Sequence, residues 1–160
     1  MGDIKTAYGT STAITCTLAS LASSATAGRE STAIDNTTNK FFSADITIAV
    51  ALQTGTPAND KAVYVYIYGS EDGTIYDDNA TGTDAAITLR VPTNLRLLGV
   101  IPCPDSGALT YEKILSTVHA YPDGLPRKWG IVIRNYTGVT LSATEGNHTK
   151  TYTGRFATAA

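Results

Sequence analysis

The chain alternates apolar and polar residues over several short stretches. The cleanest run covers residues 42–53, where every second side chain is apolar. In residues 63–68, Val63, Val65 and Ile67 lie on one face and three tyrosines on the other. Alternation with a period of two predicts antiparallel strands that bury one face. The tyrosine face can pack against a second layer or a partner with its hydroxyl groups kept wet.

Weaker apolar stretches predict further strands, and turn residues separate them. Residues 109–121 allow a helical turn or a strand, and their Thr, Tyr and Val content favours the strand. Residues 70–84 form a long acidic loop. Eight or more short strands without a repeat or a linker predict one all-β domain, a sandwich or a barrel. The further strands are expected at residues 13–18, 33–34, 86–89, 95–101, 129–134, 139–143 and 149–155.

Composition narrows the classes of partner. The 160 residues are 42% hydrophobic, which supplies a core for one domain, while only 16% are charged and the net charge is -2. Nucleic-acid binding needs a basic stripe that this chain lacks, so none is expected. No run reaches the ~18 apolar residues of a membrane span, and no export signal is apparent, so we expect synthesis in the cytoplasm and no membrane partner. A weakly charged surface rich in Thr and Ala is typical of a protein packed against neighbours.

The sequence offers little catalytic chemistry. His119 and His148 are the only histidines, and no GxSxG motif, zinc-ligand spacing or phosphate-binding loop accompanies them. Cys16 and Cys103 are interpreted as core residues, with a disulfide as the alternative. We therefore expect no enzyme activity and assign no catalytic, cofactor or metal residues.

The acidic loop contains the one candidate for a bound ion. Glu71-Asp72-Gly73 and Asp77-Asp78-Asn79 bring together oxygen ligands that calcium accepts. The spacing of an EF-hand is absent, and loops with several solvated carboxylates are common. A solvated loop is the favoured interpretation, and a calcium site is the alternative.

Candidate partner contacts lie in the terminal arms and in two charged pairs. The predicted organisation is an N-terminal arm over residues 1–12, a sandwich over residues 13–153 and a C-terminal tail over residues 154–160. Extended polar arms can add a strand to a neighbour's sheet. Arg29-Glu30 and Arg127-Lys128 suit either ordinary solvation and internal pairing or docking, because Arg is enriched at interfaces. The candidate contacts are Ile4, Lys5, Tyr8, Arg29, Glu30, Arg127 and Lys128.

Several short motifs, taken in order, resemble a group of small structural proteins of tailed bacteriophages. The resemblance spans about residues 4–157 and depends on the order and spacing of motifs that are individually short. The motifs are Ala27-Gly28-Arg29-Glu30-Ser31, Ile34-Asp35-Asn36-Thr37, Leu125-Pro126-Arg127-Lys128-Trp129-Gly130, Asn135-Tyr136-Thr137-Gly138 and Gly146-Asn147-His148.

The resemblance implies a jelly-roll-like sandwich that coats the outer surface of a phage head as a decoration, or cement, protein. Its expected partner is the major capsid protein, and self-association as a homotrimer is the favoured oligomer. The expected location is the outside of the virion. A tail, head–tail connector or fibre-base component is one alternative. A carbohydrate-binding sandwich is another, with Tyr64, Tyr66, Tyr68 and Trp129 as stacking candidates.

Overall fold

The computed structural model describes residues 3–159 and consists almost entirely of antiparallel strands. Met1, Gly2 and Ala160, which the predicted arms include, lie outside the described residues. The strands are β1 (Ile4–Tyr8), β2 (Thr12–Ala13), β3 (Ala27–Glu30), β4 (Ile34–Asp35), β5 (Ser43–Ala51), β6 (Ala62–Ser70), β7 (Ala85–Thr88), β8 (Arg96–Pro102), β9 (Thr110–Ser116), β10 (Lys128–Tyr136) and β11 (Thr149–Ala159).

The strand order is that of a jelly roll. Sheet A has the order β1-β11-β5-β9, and β2 continues β1 along the same edge of β11. Sheet B has the order β7-β3-β10-β6-β8, and β4 continues β3 along β10. With β1 and β2 counted as one strand, β3 and β4 as another, and β7 as an addition, eight strands wind through two sheets. First and last strands are neighbours, as are the second and the seventh, which is jelly-roll topology.

The alternation in the sequence places the core between the sheets. Ile46, Ile48 and Val50 of β5 are fully buried there, and so are the alternate residues of β6 and β10 that face them. Trp129 is fully buried and meets Tyr152 edge to face, with the ring centroids 5.3 Å apart. The interpretation of the cysteines is confirmed, because Cys16 and Cys103 are buried free thiols.

A third layer of chain covers the outer face of sheet B. We call residues 71–95 the loop layer; it contains the predicted acidic loop from residue 71 onward, and its strand β7 also forms one edge of sheet B. Ile87, Leu89 and Leu95 from this layer bury the tyrosine face of β6. Tyr68 is fully buried, its hydroxyl donates to the Ser31 carbonyl at 2.6 Å, and burial raises its pKa. The tyrosines therefore pack against a second layer of the same chain.

Two of the strand predictions are wrong. Residues 14–18 alternate as predicted, with Ile14, Cys16 and Leu18 buried, but only Thr12–Ala13 forms a strand. The backbone N–H groups of Leu18 and Ala19 instead donate to the Glu145 carboxylate, both at 2.7 Å. A side chain therefore accepts the hydrogen bonds that a neighbouring strand would otherwise accept. Residues 139–143 likewise form no strand, and Leu141 contributes an isolated bridge to Leu52.

Other boundaries differ less. The ambiguous segment 109–121 is a strand from Thr110 to Ser116 and then a 3-10 helix, Thr117–His119. The apolar pattern does not reveal β3, because its buried residues are Gly28 and Glu30, which lie with Val132 on the outer face of sheet B beneath the loop layer. A second 3-10 helix spans Glu145–Asn147, and no helix in the described part of the chain is long and apolar enough to cross a membrane.

Candidate functional site: a projecting ribbon and an open sheet face

The two predicted arms pair with each other. Ile4–Tyr8 runs antiparallel to residues 155–159, with Ile4 opposite Ala159 and Tyr8 opposite Arg155. β5 pairs with β11 only as far as Arg155, so beyond that point β1 is the one strand paired with β11 in the described chain. We call Ile4–Tyr8 together with residues 155–159 the ribbon. A ribbon of two strands is marginally stable alone in water, so a further strand or a packing surface would stabilise it.

The ribbon carries exposed apolar side chains on one face. Ile4 is 82% exposed and Tyr8 is 65% exposed. Thr6 lies between them. Tyr152 faces the core, so the odd-numbered residues of β11 face outward, and their partners Ile4, Thr6 and Tyr8 lie on the outer face of sheet A. Lys5 points to the opposite face, beside Thr158. Of the predicted contacts, Ile4, Lys5 and Tyr8 are thus exposed together at one sheet edge.

An ion pair orients the base of the ribbon. Arg155 Nη2 donates to Asp45 Oδ2, and this hydrogen bond raises the pKa of the guanidinium. The Arg155 guanidinium carbon lies 5.6 Å from the centroid of the Tyr8 ring, within the range of a cation–π contact. Asp45 of β5 therefore fixes the Arg155 side chain, and Arg155 in turn contacts the Tyr8 ring on the neighbouring strand β1.

The outer face of sheet A continues from the ribbon and is open. Ile114 on β9 is 70% exposed and lies directly opposite Thr47. The open face carries few charged residues, namely the Asp45–Arg155 pair and Glu112. The sequence predicts this face, because it consists of the polar positions of β5 and β11. Only the structure shows that the other candidate surface, the tyrosine face, is buried beneath the loop layer. The small side chains on this face include Thr47, Thr149, Thr151 and Thr153, with the buried Ala49 between them.

The prediction that Glu30 contacts a partner is wrong. Its side chain is fully buried, and its carboxylate accepts hydrogen bonds from the Thr81 N–H at 2.8 Å and the Gly82 N–H at 3.2 Å. Arg29 Nε donates to Asp84 at 2.6 Å. Both residues of this charged pair therefore attach the loop layer to sheet B.

Arg127 and Lys128 lie at one end of the sandwich. Lys128 Nζ lies 2.9 Å from Asp35 Oδ2, where hydrogen bonds from Thr37 and then Lys128 hold the pKa of the Asp35 carboxyl below its usual range. Arg127 is exposed and lines a groove of about 380 Å³ that Lys40 and Glu71 also line. This groove is separate from the open face, so the structure divides the predicted contacts among different surfaces.

The carboxylates of the acidic loop bind their own chain. Asp72 accepts from the N–H groups of Thr74 and Ile75, both at 2.8 Å, and these contacts lower the pKa of its carboxyl. Asp77 accepts from the Gly69 N–H at 3.0 Å. Within residues 3–159, no group of three or more Asp, Glu, His or Cys residues is placed to hold a metal ion.

The stacking candidates do not form an exposed platform. Trp129 and Tyr68 are fully buried and Tyr66 is 7% exposed, which leaves Tyr64. The Tyr64 face is occupied by the Arg134 guanidinium, 4.3 Å from the ring centroid. The structure therefore contradicts these four residues as a sugar-binding surface.

His148 is used in packing. Its Nδ1 accepts from the Ala51 N–H at 3.2 Å, and its Nε2 lies 3.2 Å from the Ser142 carbonyl oxygen. These contacts define the neutral tautomer with the proton on Nε2. Burial lowers the pKa of the imidazole.

The class that the fold and surfaces define is a jelly-roll β-sandwich with one covered sheet, one open sheet and a projecting ribbon. Comparison with protein-family models, curated proteins and solved structures finds no match to this chain. A jelly roll hosts many functions, viral capsid and lectin domains among them, so the function of this chain depends on its surfaces and not on the fold alone.

Proposed function

We propose that this chain is a non-enzymatic structural protein of a bacteriophage head. It binds the outer surface of the assembled capsid and stabilises contacts between neighbouring major capsid subunits. The observation that carries the proposal is the open face of sheet A, which is weakly charged, includes the exposed Ile114 and is continuous with the exposed ribbon. The resemblance of the motifs to small virion proteins of tailed phages supports the same role.

The physical basis is linkage between binding and assembly. A protein that binds only the assembled lattice stabilises that lattice by mass action. Many copies on a symmetric surface also gain avidity, so the contact of each copy can be small. The open face suits such a contact because its short Thr and Ala side chains lose little rotamer entropy when they are buried.

The test is occupancy on heads that lack the protein. Purified chain is added to expanded heads, and bound copies are counted by cryo-electron microscopy. Ile114→Asp places a charge on the open face and should reduce occupancy at least tenfold. Val91→Asp is the matched control, because Val91 is 83% exposed in the loop layer over sheet B. Deletion of residues 1–7 should also weaken attachment while the sandwich stays folded.

Copy number separates the alternatives. Hundreds of copies on the outer head lattice agree with the proposal. A few copies at a vertex or along the tail would assign the chain to a connector, a tail or a fibre base instead. Wild-type chain that binds no part of the particle would refute a virion role, and a glycan array would then test carbohydrate binding.

A further inference from the structure

The outer edge of β1 is an unused hydrogen-bonding edge. Gly9 continues the register of β1, and its N–H donates to the Gly154 carbonyl at 2.8 Å. Backbone groups alternate in direction along a strand, so Gly9 and every second residue before it face β11. Ile4, Thr6 and Tyr8 therefore direct their N–H and C=O groups away from β11, to the open edge.

Two other sheet edges are blocked by side chains. Asn79 Nδ2 donates to the Thr88 carbonyl of β7 at 2.8 Å, and Lys113 Nζ donates to the Val100 carbonyl of β8 at 2.8 Å. Each contact occupies a backbone acceptor that an added strand would need, which makes the edge less suited to pairing. Within the described chain, β1 has no comparable contact from a side chain.

We infer that two copies of this chain pair through β1 in an antiparallel ladder centred on Thr6. Residues directly opposite each other in an antiparallel pair share one face of the sheet. This register places Thr6 opposite Thr6 of the second copy. Ile4 of each copy lies opposite Tyr8 of the other, so the pair forms two such contacts. The two exposed large apolar side chains of the ribbon then cover each other.

The neighbouring registers are worse. A ladder centred on Lys5 sets two ammonium groups opposite each other, which destabilises a strand pair. A ladder centred on Ala7 leaves Ile4 opposite Thr10, which lies beyond the end of β1. With Thr6 at the centre, Lys5 lies opposite Ala7, and Ile4, Thr6 and Tyr8 each donate and accept a backbone hydrogen bond.

The pair is closed by a two-fold axis, because both copies use the same surface. The inference therefore replaces the homotrimer expected from the resemblance with a dimer. Sheet A of the two copies becomes one sheet of eight strands, with both open faces on the same side. The pairing does not require a capsid, so its test on purified chain is independent of the proposed function.

The first test compares two substitutions by sedimentation over a range of concentrations. The Thr6 N–H faces the open edge, so Thr6→Pro removes a central donor of the dimer but leaves the ladder to β11 intact. Thr6→Ser keeps the donor and is the control. We expect the wild type and Thr6→Ser to reach twice the chain mass, and Thr6→Pro to associate at least tenfold more weakly. A wild type that stays monomeric or forms a trimer, or a folded Thr6→Pro that dimerises normally, would overturn the inference.

The second test fixes the register. Opposed residues of a hydrogen-bonded pair lie about 5.5 Å apart at Cα, within the range of a disulfide. Thr6→Cys should therefore form a disulfide-linked dimer under mild oxidation, and both native cysteines are buried and do not compete. Ile114→Cys is a similarly exposed control that should stay uncrosslinked. Equal crosslinking of both variants, or none with Thr6→Cys, would refute the register.

Discussion

Removing the buried carboxylate of Glu30 should release the loop layer from sheet B. The carboxylate accepts three hydrogen bonds, from the Thr81 N–H, the Thr81 hydroxyl and the Gly82 N–H. Hydrogen bonds to a charged group contribute about 1.5–3 kcal/mol each, and Thr81 can partly rehydrate because it is exposed. We therefore expect Glu30→Ala to lower the free energy of unfolding by about 3–5 kcal/mol, or roughly 10 °C in Tm.

A conservative variant and a surface control separate the loss of the buried hydrogen bonds from the loss of a carboxylate in general. Glu30→Gln keeps one acceptor oxygen and should cost about 1–2 kcal/mol. Glu112→Ala removes an exposed carboxylate from β9 and should stay within about 0.5 kcal/mol of the wild type. Urea unfolding followed by the fluorescence of Trp129, the one tryptophan, measures all three. If Glu30→Ala unfolds like Glu112→Ala, or if the Thr81 amide exchanges no faster, the anchoring role is refuted.

Three further predictions concern buried groups. Burial lowers the pKa of His148, so stability that is full above its unfolded pKa of about 6.5 should fall as the pH drops toward the folded value. His148→Gln should flatten that part of a pH series of urea melts; an unchanged slope would exclude His148 as its source. Burial raises the pKa of Cys16 to about 12 and of Cys103 to about 11, so a thiol reagent at pH 8 should modify both only after unfolding. Gly130→Ala should cost about 1–3 kcal/mol by thermal melting, because its Cβ would meet the Ser31 hydroxyl at 2.7 Å and the Tyr68 hydroxyl, whereas Gly146→Ala meets nothing within 4 Å and should be neutral.

Strands were predictable from the sequence where both hydrogen bonding and packing follow the period of two. β5, β6 and β10 satisfy this condition, because each lies between two neighbouring strands and buries alternate side chains. Residues 14–18 satisfy only the packing condition. Their apolar side chains enter the core, but the Glu145 carboxylate takes the backbone donors of Leu18 and Ala19. Hydrophobic pattern cannot reveal a partner more than a hundred residues away.

The ribbon was harder to predict for a related reason. The sequence predicts an extended arm over residues 4–8. These residues are extended, but they pair with residues 155–159 near the other end of the chain. Short polar segments with little apolar periodicity carry no signal of which strand they pair with. The charged pairs show the same limit, since nothing local distinguishes Glu30, which is buried, from Arg127, which is exposed.

The two sheets differ in a way that bears on any function of this fold. Sheet B is closed to partners over its tyrosine face, because Glu30 and the Arg29–Asp84 pair fasten the loop layer onto it. Sheet A has no such cover in the described chain, and its exposed Ile114 lies on the same face as Ile4 and Tyr8 of the ribbon. A partner that buries apolar surface therefore gains more on sheet A than on the tyrosine face of sheet B, whether that partner is a capsid, another virion protein or a second copy. Pairing through β1 would extend this same face, so self-association and lattice binding would cooperate instead of competing for one surface.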